Sequence, residues 1–241
     1  MSVTLTVAAL KGGVGKSTIT LNIAACLHQA GHRVLIVDAD SQGTCRIWGS
    51  KSAEAGYDGP PVIGLDGRSL RRDLERVSTG FDAVIIDTPP RMAVETRAAM
   101  LAADMIVLPV TPGGADTWAL HETLQVLEEA TTLRSDLRAA IVCNRADRTT
   151  LSRISLRALE ELHVPVLKTQ IGNRVIFGES TLAGRSVVDM AARSTAAQEI
   201  EALTRELFDA LKETKHAKRI ANTGQREKKQ RRAASQRIYA A

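Results

Sequence analysis

At 241 residues, 44% hydrophobic and only 3% aromatic, the chain is long enough for one good core, which must be built from Ala, Val, Leu and Ile, as suits a buried parallel sheet. Cys26, Cys45 and Cys143 lie far apart with no C-x-x-C pair, which argues against a disulfide framework or a zinc or iron–sulfur site and leaves each as a small buried hydrophobe. The net charge of +5 is uneven: residues 212–237 hold ten Lys or Arg against Glu213 and Glu227, a net +8, while the remainder has 22 basic and 25 acidic residues, −3.

The first apolar run, residues 3–9, has strand length and leads directly into LKGGVGKSTIT at 10–20. A phosphate-binding loop of the common form G-x-x-x-x-G-K-[ST] would have its first glycine at position 10, where this chain has Leu10, and a second lysine, Lys11, follows. Gly12, Gly13, Val14 and Gly15 let backbone N–H groups converge on a β-phosphate, and a helix predicted over 16–30 aims its positive dipole end at the same point. Lys16 is assigned to the β- and γ-phosphates, the Ser17 hydroxyl to Mg2+ and Thr18 to the α-phosphate.

The next strand, 33–39, runs into Asp38 and Asp40; a short strand at 61–65 and a helix at 69–78 follow, and the strand at 82–87 ends in Asp87. Ligands gather at the carboxyl ends of strands in α/β sheets, so all three carboxylates are expected at one site. Asp87 is read as holding Mg2+ through water, Asp40 as orienting the attacking water, and Asp38 as supporting the loop and metal shell. A helix at 92–102, a strand at 105–110 and a helix at 116–132 come next, with Trp118 as a packing residue of the last. The strand at 139–144 continues into CNRAD, 143–147, which superficially matches the N-K-x-D box that reads guanine. Asn144 can pair with either purine, because its amide both donates and accepts. Arg145 stands where that box has lysine, and the strand ending at Asp87 continues D-T-P-P rather than D-x-x-G. Adenine is therefore favoured, with Asn144 on the base.

A helix at 151–162, a strand at 165–171 and a final helix at 195–215 complete the pattern, the last with Ile200, Leu203, Leu207 and Leu211 at helical spacing. Strands alternating with helices predict an α/β fold: a doubly wound, mostly parallel sheet of about seven strands, of the P-loop NTPase type. One domain is expected over 1–215, with a basic, solvated tail at 216–241 that can touch nucleic acid. No basic flank with a long apolar stretch and cleavage site opens the chain, and no run reaches about 18 apolar residues. A soluble, cytoplasmic protein is expected.

KGGVGKST, VDADSQG and DTPP resemble the deviant Walker A, A′ and B motifs of the ParA/MinD family of dimerising ATPases, and the similarity runs on to about residue 210 through IGNRVIFGESTLAGRSVVDMAARSTAAQEI. The resemblance implies ATP and Mg2+ as ligands, and a homodimer in which Lys11 reaches across to the partner's ATP. Lys16 and Asp40 then act in hydrolysis in their own subunit. The chain starts at its first strand, so it resembles the small partition ATPases without an N-terminal helix-turn-helix. By position in the matching stretch, Arg185 and Arg193 are carried over as contacts to nonspecific DNA. Such relatives associate with the nucleoid and work with a cargo-bound ParB-like or small DNA-binding adaptor. The end of the chain offers only Ile220, Ile238 and Tyr239 as large apolar groups, too few for a MinD-type membrane helix. A membrane-associated regulator and a metabolic enzyme on the same fold remain the alternatives; the missing cysteine pair argues against a cluster-bearing iron protein.

Overall fold

The structure, a computed structural model, describes residues 2–147 and 149–212. The strands are β1 (Val3–Val7), β2 (Val34–Asp38), β3 (Val62–Gly64), β4 (Ala83–Asp87), β5 (Met105–Val110), β6 (Ala139–Ala146) and β7 (Val166–Gly172). The helices are α1 (Lys16–Gln29), α2 (Thr44–Glu54), α3 (Gly67–Val77), α4 (Ala93–Ala102), α5 (Gly114–Leu133), α6 (Thr150–Glu160), α7 (Val175–Leu182) and α8 (Val187–Met190), with a last helix, α9, over 195–212. Among the described residues the seven strands form one sheet in the order β3-β2-β4-β1-β5-β6-β7, and every pairing is parallel. The predicted strands thus appear within a residue or two of their expected bounds. The sheet is wholly parallel rather than mostly so.

Strands β2 and β4 are buried at every position, the signature of a sheet covered on both faces. In β1 the Thr6 hydroxyl donates to the Ala99 carbonyl of α4 (2.9 Å), and just after the strand Ala8 packs in one cluster with Met100. Side chains alternate along a strand, so Leu5 and Val7 turn to the opposite face. Helix α1 packs on β1, β2 and β4 and buries residues all round its circumference, Ile19, Leu21, Asn22, Ile23 and Ala25 among them, so it has no polar stripe to present to water. The α4–α5–α6 side closes over Ile106, Leu108 and Ile141 with Met100, Leu127, Ala130 and Leu159. Leu70 and Leu74 of α3 close over Leu35, Val84 and Ile86.

Three helices depart from the sequence expectation. Helix α2 carries Gly49, Ser50 and Ser52 and buries only Cys45, Trp48 and Ser52, so no apolar period marks it. Helix α7 is only eight residues long, mixes Val175, Ile176 and Phe177 with Glu179, Ser180 and Thr181 and has Gly178 in its middle, and α8 has only four residues, held by a capping box between Ser186 and Asp189. Trp118 is corrected from a packing residue to a surface one: it is 75% exposed, two positions after Asp116 and so on the opposite side of the helix from the ion pair described below. Cys26 is only half-buried, whereas Cys45 and Cys143 are the buried residues expected. By internal contacts the chain divides into residues 1–204, which hold the sheet, and residues 205–241. The expected basic tail, 216–241, lies outside the described residues.

Helix α7 ends on Gly184, whose N–H donates to the Thr181 carbonyl at 3.2 Å while the Arg185 N–H donates to Ser180 at 2.9 Å. Gly184 has φ +65°, and a Cβ there would fall 2.6 Å from the backbone of Lys51 and Ser52. Both facts penalise any side chain. Gly184→Ala is expected to lower unfolding stability by about 1–3 kcal/mol, measured by urea denaturation; a loss under ~0.5 kcal/mol would mean that α2 and α7 do not pack this closely.

Candidate functional site

Register assembles the site. Val7 pairs with Asp87 across β1 and β4, and Asp38 pairs with Asp87 across β2 and β4, so the loop after β1 and the two acidic strand ends stand level. The loop of residues 8–15 opens with the Ala8 N–H on the Val107 carbonyl at 2.9 Å and turns on Gly13 (φ 79°) and Gly15 (φ 92°), conformations that favour glycine. Gly12 and Gly13 are exposed and Val14 is buried. Lys16, at the first position of α1, is 7% exposed and donates from Nζ to the Lys11 carbonyl at 3.2 Å. Burial lowers its pKa, and the nearby Asp87 and Asp40 oppose that shift.

Of the three residues expected around the metal, Ser17 and Asp87 lie in contact, while Asp38 is engaged by backbone N–H groups. The Ser17 hydroxyl donates to Asp87 Oδ2 at 2.6 Å. Asp87 also accepts the Cys45 thiol on Oδ2 at 3.3 Å and approaches the Thr20 hydroxyl at 3.5 Å through Oδ1. Among the described residues no group of three or more His, Cys, Asp or Glu could hold a metal unaided. Mg2+ commonly takes one or two protein groups and completes its shell with phosphate oxygens and water, so a hydroxyl beside one carboxylate fits it. Ser17 and Asp87 are the residues that would hold the ion.

Asp38 is buried, and both its oxygens are engaged: Oδ1 by the Asp40 N–H and Oδ2 by the Arg46 N–H, each at 3.0 Å. Those bonds brace the loop, which is the supporting part of the role expected for Asp38. Asp40 is partly exposed beside a cleft of ≈ 640 Å³ lined also by Arg46, Asp66 and Glu95. Its Oδ1 accepts the Gln42 N–H at 2.9 Å.

Asn144, expected on the base, has its amide engaged by the phosphate loop. It is 4% exposed, and its Nδ2 donates to the Val14 carbonyl at 2.7 Å, with Gly15 so close that a Cβ there would sit 2.1 Å from that nitrogen. In this state Asn144 props the phosphate loop from behind. It still borders a cleft of ≈ 470 Å³ shared with Thr18, Arg145, Asn173 and Phe177, which lies beside the loop where a nucleoside can extend from phosphates held there.

Lys11 forms an ion pair with Asp116 in the first turn of α5. Arg91, in the loop after β4, donates its N–H to the Leu10 carbonyl at 2.8 Å from a left-handed conformation, φ 58°. Cys45, Thr20, Asp116 and Arg91 were not anticipated. Only Thr20 had a readable signal, standing one helical turn after Ser17. Arg185 and Arg193 are both exposed, and the Arg185 guanidinium lies 5.4 Å over the Tyr57 ring.

The sequence matches the family described as the CobQ/CobB/MinD/ParA nucleotide binding domain over residues 5–187. It is 38% identical over 211 residues to Maintenance of carboxysome distribution protein A of Halothiobacillus neapolitanus, covering 85% of this chain and 96% of that protein. It is 28% identical to the sporulation initiation inhibitor protein Soj of Bacillus subtilis, covering 78% and 91%. Among solved structures the fold is similar to apo McdA from Cyanothece, with TM-score 0.69, 18% identity and coverage of 89% and 99%. It is also similar to the septum site-determining protein MinD of Pyrococcus horikoshii with Mg-ADP, with TM-score 0.68, 22% identity and coverage of 86% and 96%.

Burial pushes the Asp87 carboxyl up to about 6 from an ordinary 3.8, against the downward pull of its hydrogen bonds from Ser17 and Cys45. A folded-state pKa above the unfolded one means that the folded protein holds this proton more tightly. The resulting stabilisation is full below about pH 4 and is lost as pH rises through about 6, about 3 kcal/mol in all. In metal-free buffer without nucleotide, the stability of wild type relative to Asp87→Asn should fall by that amount between about pH 4 and pH 7 and then level off. A difference that stays flat across this range would show that Asp87 is ionised throughout.

Proposed function

The chain belongs to the CobQ/CobB/MinD/ParA family of nucleotide-binding domains, and from this membership we propose that it is an ATPase that forms an ATP-bound homodimer and positions a cargo on nonspecific DNA. The observation that carries the reading is the pair of lysines on one phosphate loop. Lys16 lies buried against its own loop, whereas Lys11 sits at the loop's margin, held by Asp116 on another helix. A second lysine is superfluous for binding phosphate within one subunit. Released from Asp116, it serves the γ-phosphate bound by a second copy, where added positive charge stabilises phosphoryl transfer.

The geometry supports the following roles within the subunit. Backbone N–H groups of residues 12–15 cradle the phosphates, Lys16 neutralises them, and Thr18 borders the nucleoside cleft. Mg2+, when bound at Ser17 and Asp87, supplies charge neutralisation at the transferring phosphoryl group. Asp40, on a loop braced by Asp38, orients the attacking water. Arg185, Arg193 and the basic residues of 216–241 contact DNA phosphates, which places the dimer on the nucleoid. A cargo-bound adaptor, ParB-like or a small DNA-binding protein, stimulates a slow hydrolysis that releases the dimer. Because the Halothiobacillus relative is named for carboxysome distribution, a protein-bounded compartment is the first cargo to test, ahead of a plasmid or chromosome segment.

Light scattering with a nonhydrolysable ATP analogue tests the trans role. Lys16→Ala should lose nucleotide binding, while Lys11→Ala should retain binding as a monomer and fail to dimerise. A Lys11→Ala protein that dimerises like wild type would defeat the proposal. In a separate assay, Asp40→Ala should keep nucleotide binding and the dimer but lose about 10²-fold or more in turnover. A loss of less than about twofold would remove Asp40 from the chemistry.

A further inference from the structure

Helix α2, unmarked by any sequence period, touches both the nucleotide site and the surface of Arg185. In its first turn the Cys45 thiol donates to Asp87 Oδ2 at 3.3 Å and the Arg46 N–H donates to Asp38 Oδ2 at 3.0 Å. Three residues on, which puts it on the same face about 4.5 Å along the axis, Trp48 is 1% exposed and donates Nε1–H to the Arg185 carbonyl at 3.1 Å. A buried indole N–H needs a partner, and the one it finds belongs to an exposed cation rather than to the core.

The turn that receives this bond has little freedom. The Arg185 N–H is taken by the Ser180 carbonyl at 2.9 Å, so both backbone polar groups of Arg185 are committed. Gly184 presses against the backbone of Lys51 and Ser52 in α2, and Ser186, next in the chain, is buried and caps α8. A displacement of α2 therefore carries the Arg185 backbone with it. At the other end, α2 begins on Asp38 and Asp87, the carboxylates that end β2 and β4 beside the phosphate loop. Lys51, also exposed, rides on the same helix.

We infer that Trp48 is a positioning residue that ties Arg185 to the nucleotide site through α2, so that the grip of Asp38 and Asp87 on α2 sets how Arg185 is presented to DNA phosphates. The inference rests on the reading of Arg185 as a DNA contact. Coupling of this kind is reciprocal: the factor by which nucleotide raises DNA affinity equals the factor by which DNA raises nucleotide affinity.

The test uses the full chain with a fluorescent random-sequence duplex, titrated with and without a nonhydrolysable ATP analogue and Mg2+, and the converse titration of analogue with and without DNA. The variants are Trp48→Phe, which keeps an aromatic ring without the N–H, and Trp48 replaced by benzothienylalanine, which keeps the shape and replaces the N–H with sulfur. Both are expected to reduce the two reciprocal factors together, by about fivefold or more, with analogue affinity in the absence of DNA close to wild type and a thermal midpoint lowered by the loss of a buried hydrogen bond. Arg185→Glu should reduce DNA affinity without this selectivity for the coupling. Unchanged factors in the benzothienylalanine variant would overturn the inference and leave Trp48 a core residue. A wild-type protein that binds no DNA in either nucleotide state would instead overturn the DNA reading itself.

Discussion

A buried carboxylate, Asp87, organises the top of the sheet. It ends a central strand, stands in register with Val7 and Asp38 on its two neighbours, and gathers the hydroxyl of Ser17, the thiol of Cys45 and, more distantly, the hydroxyl of Thr20. An ionised carboxylate out of water is costly unless donors surround it. These donors come from α1 and α2, so satisfying one charge fixes the start of both helices. The phosphate loop inherits its position from that arrangement, because it is the connection between β1 and α1.

The two lysines of the loop live in different electrostatic settings. Lys16 is desolvated, which lowers its pKa, and Asp87 and Asp40 nearby oppose that shift. Phosphate arriving at the loop meets a cation already stripped of most of its water. Lys11 is partly exposed and spends its charge on Asp116, a pairing that costs little to break in a solvated position. One lysine is built into the pocket; the other is on loan to α5.

Much of this was legible beforehand. The loop glycines, Lys16, Ser17 and the strand-terminal aspartates were readable because phosphate and metal chemistry demand those residue types at fixed spacing, and apolar runs marked all seven strands. Helix α2 was not readable, since its stability comes from Trp48, Cys45 and Ser52 against neighbours distant in sequence rather than from an apolar stripe. The packing role expected of Trp118 failed for a related reason. Asp116 pairs with Lys11, more than a hundred residues earlier, and Trp118, on the opposite side of the helix, faces water.

Asn144 draws the line most clearly. The sequence by itself determined that an amide follows the strand at 139–144, that three carboxylates end strands, and that two lysines share one loop, because each is a matter of residue type and local spacing. Only the tertiary structure decided that the amide faces the Val14 carbonyl, that Asp38 spends both oxygens bracing its own loop, and that a thiol and an indole on α2 reach Asp87 and Arg185. The physical reason is that where a side chain finds its hydrogen-bond partner depends on register and packing across the sheet, on distances of a few ångströms between groups that the chain mostly separates by many positions.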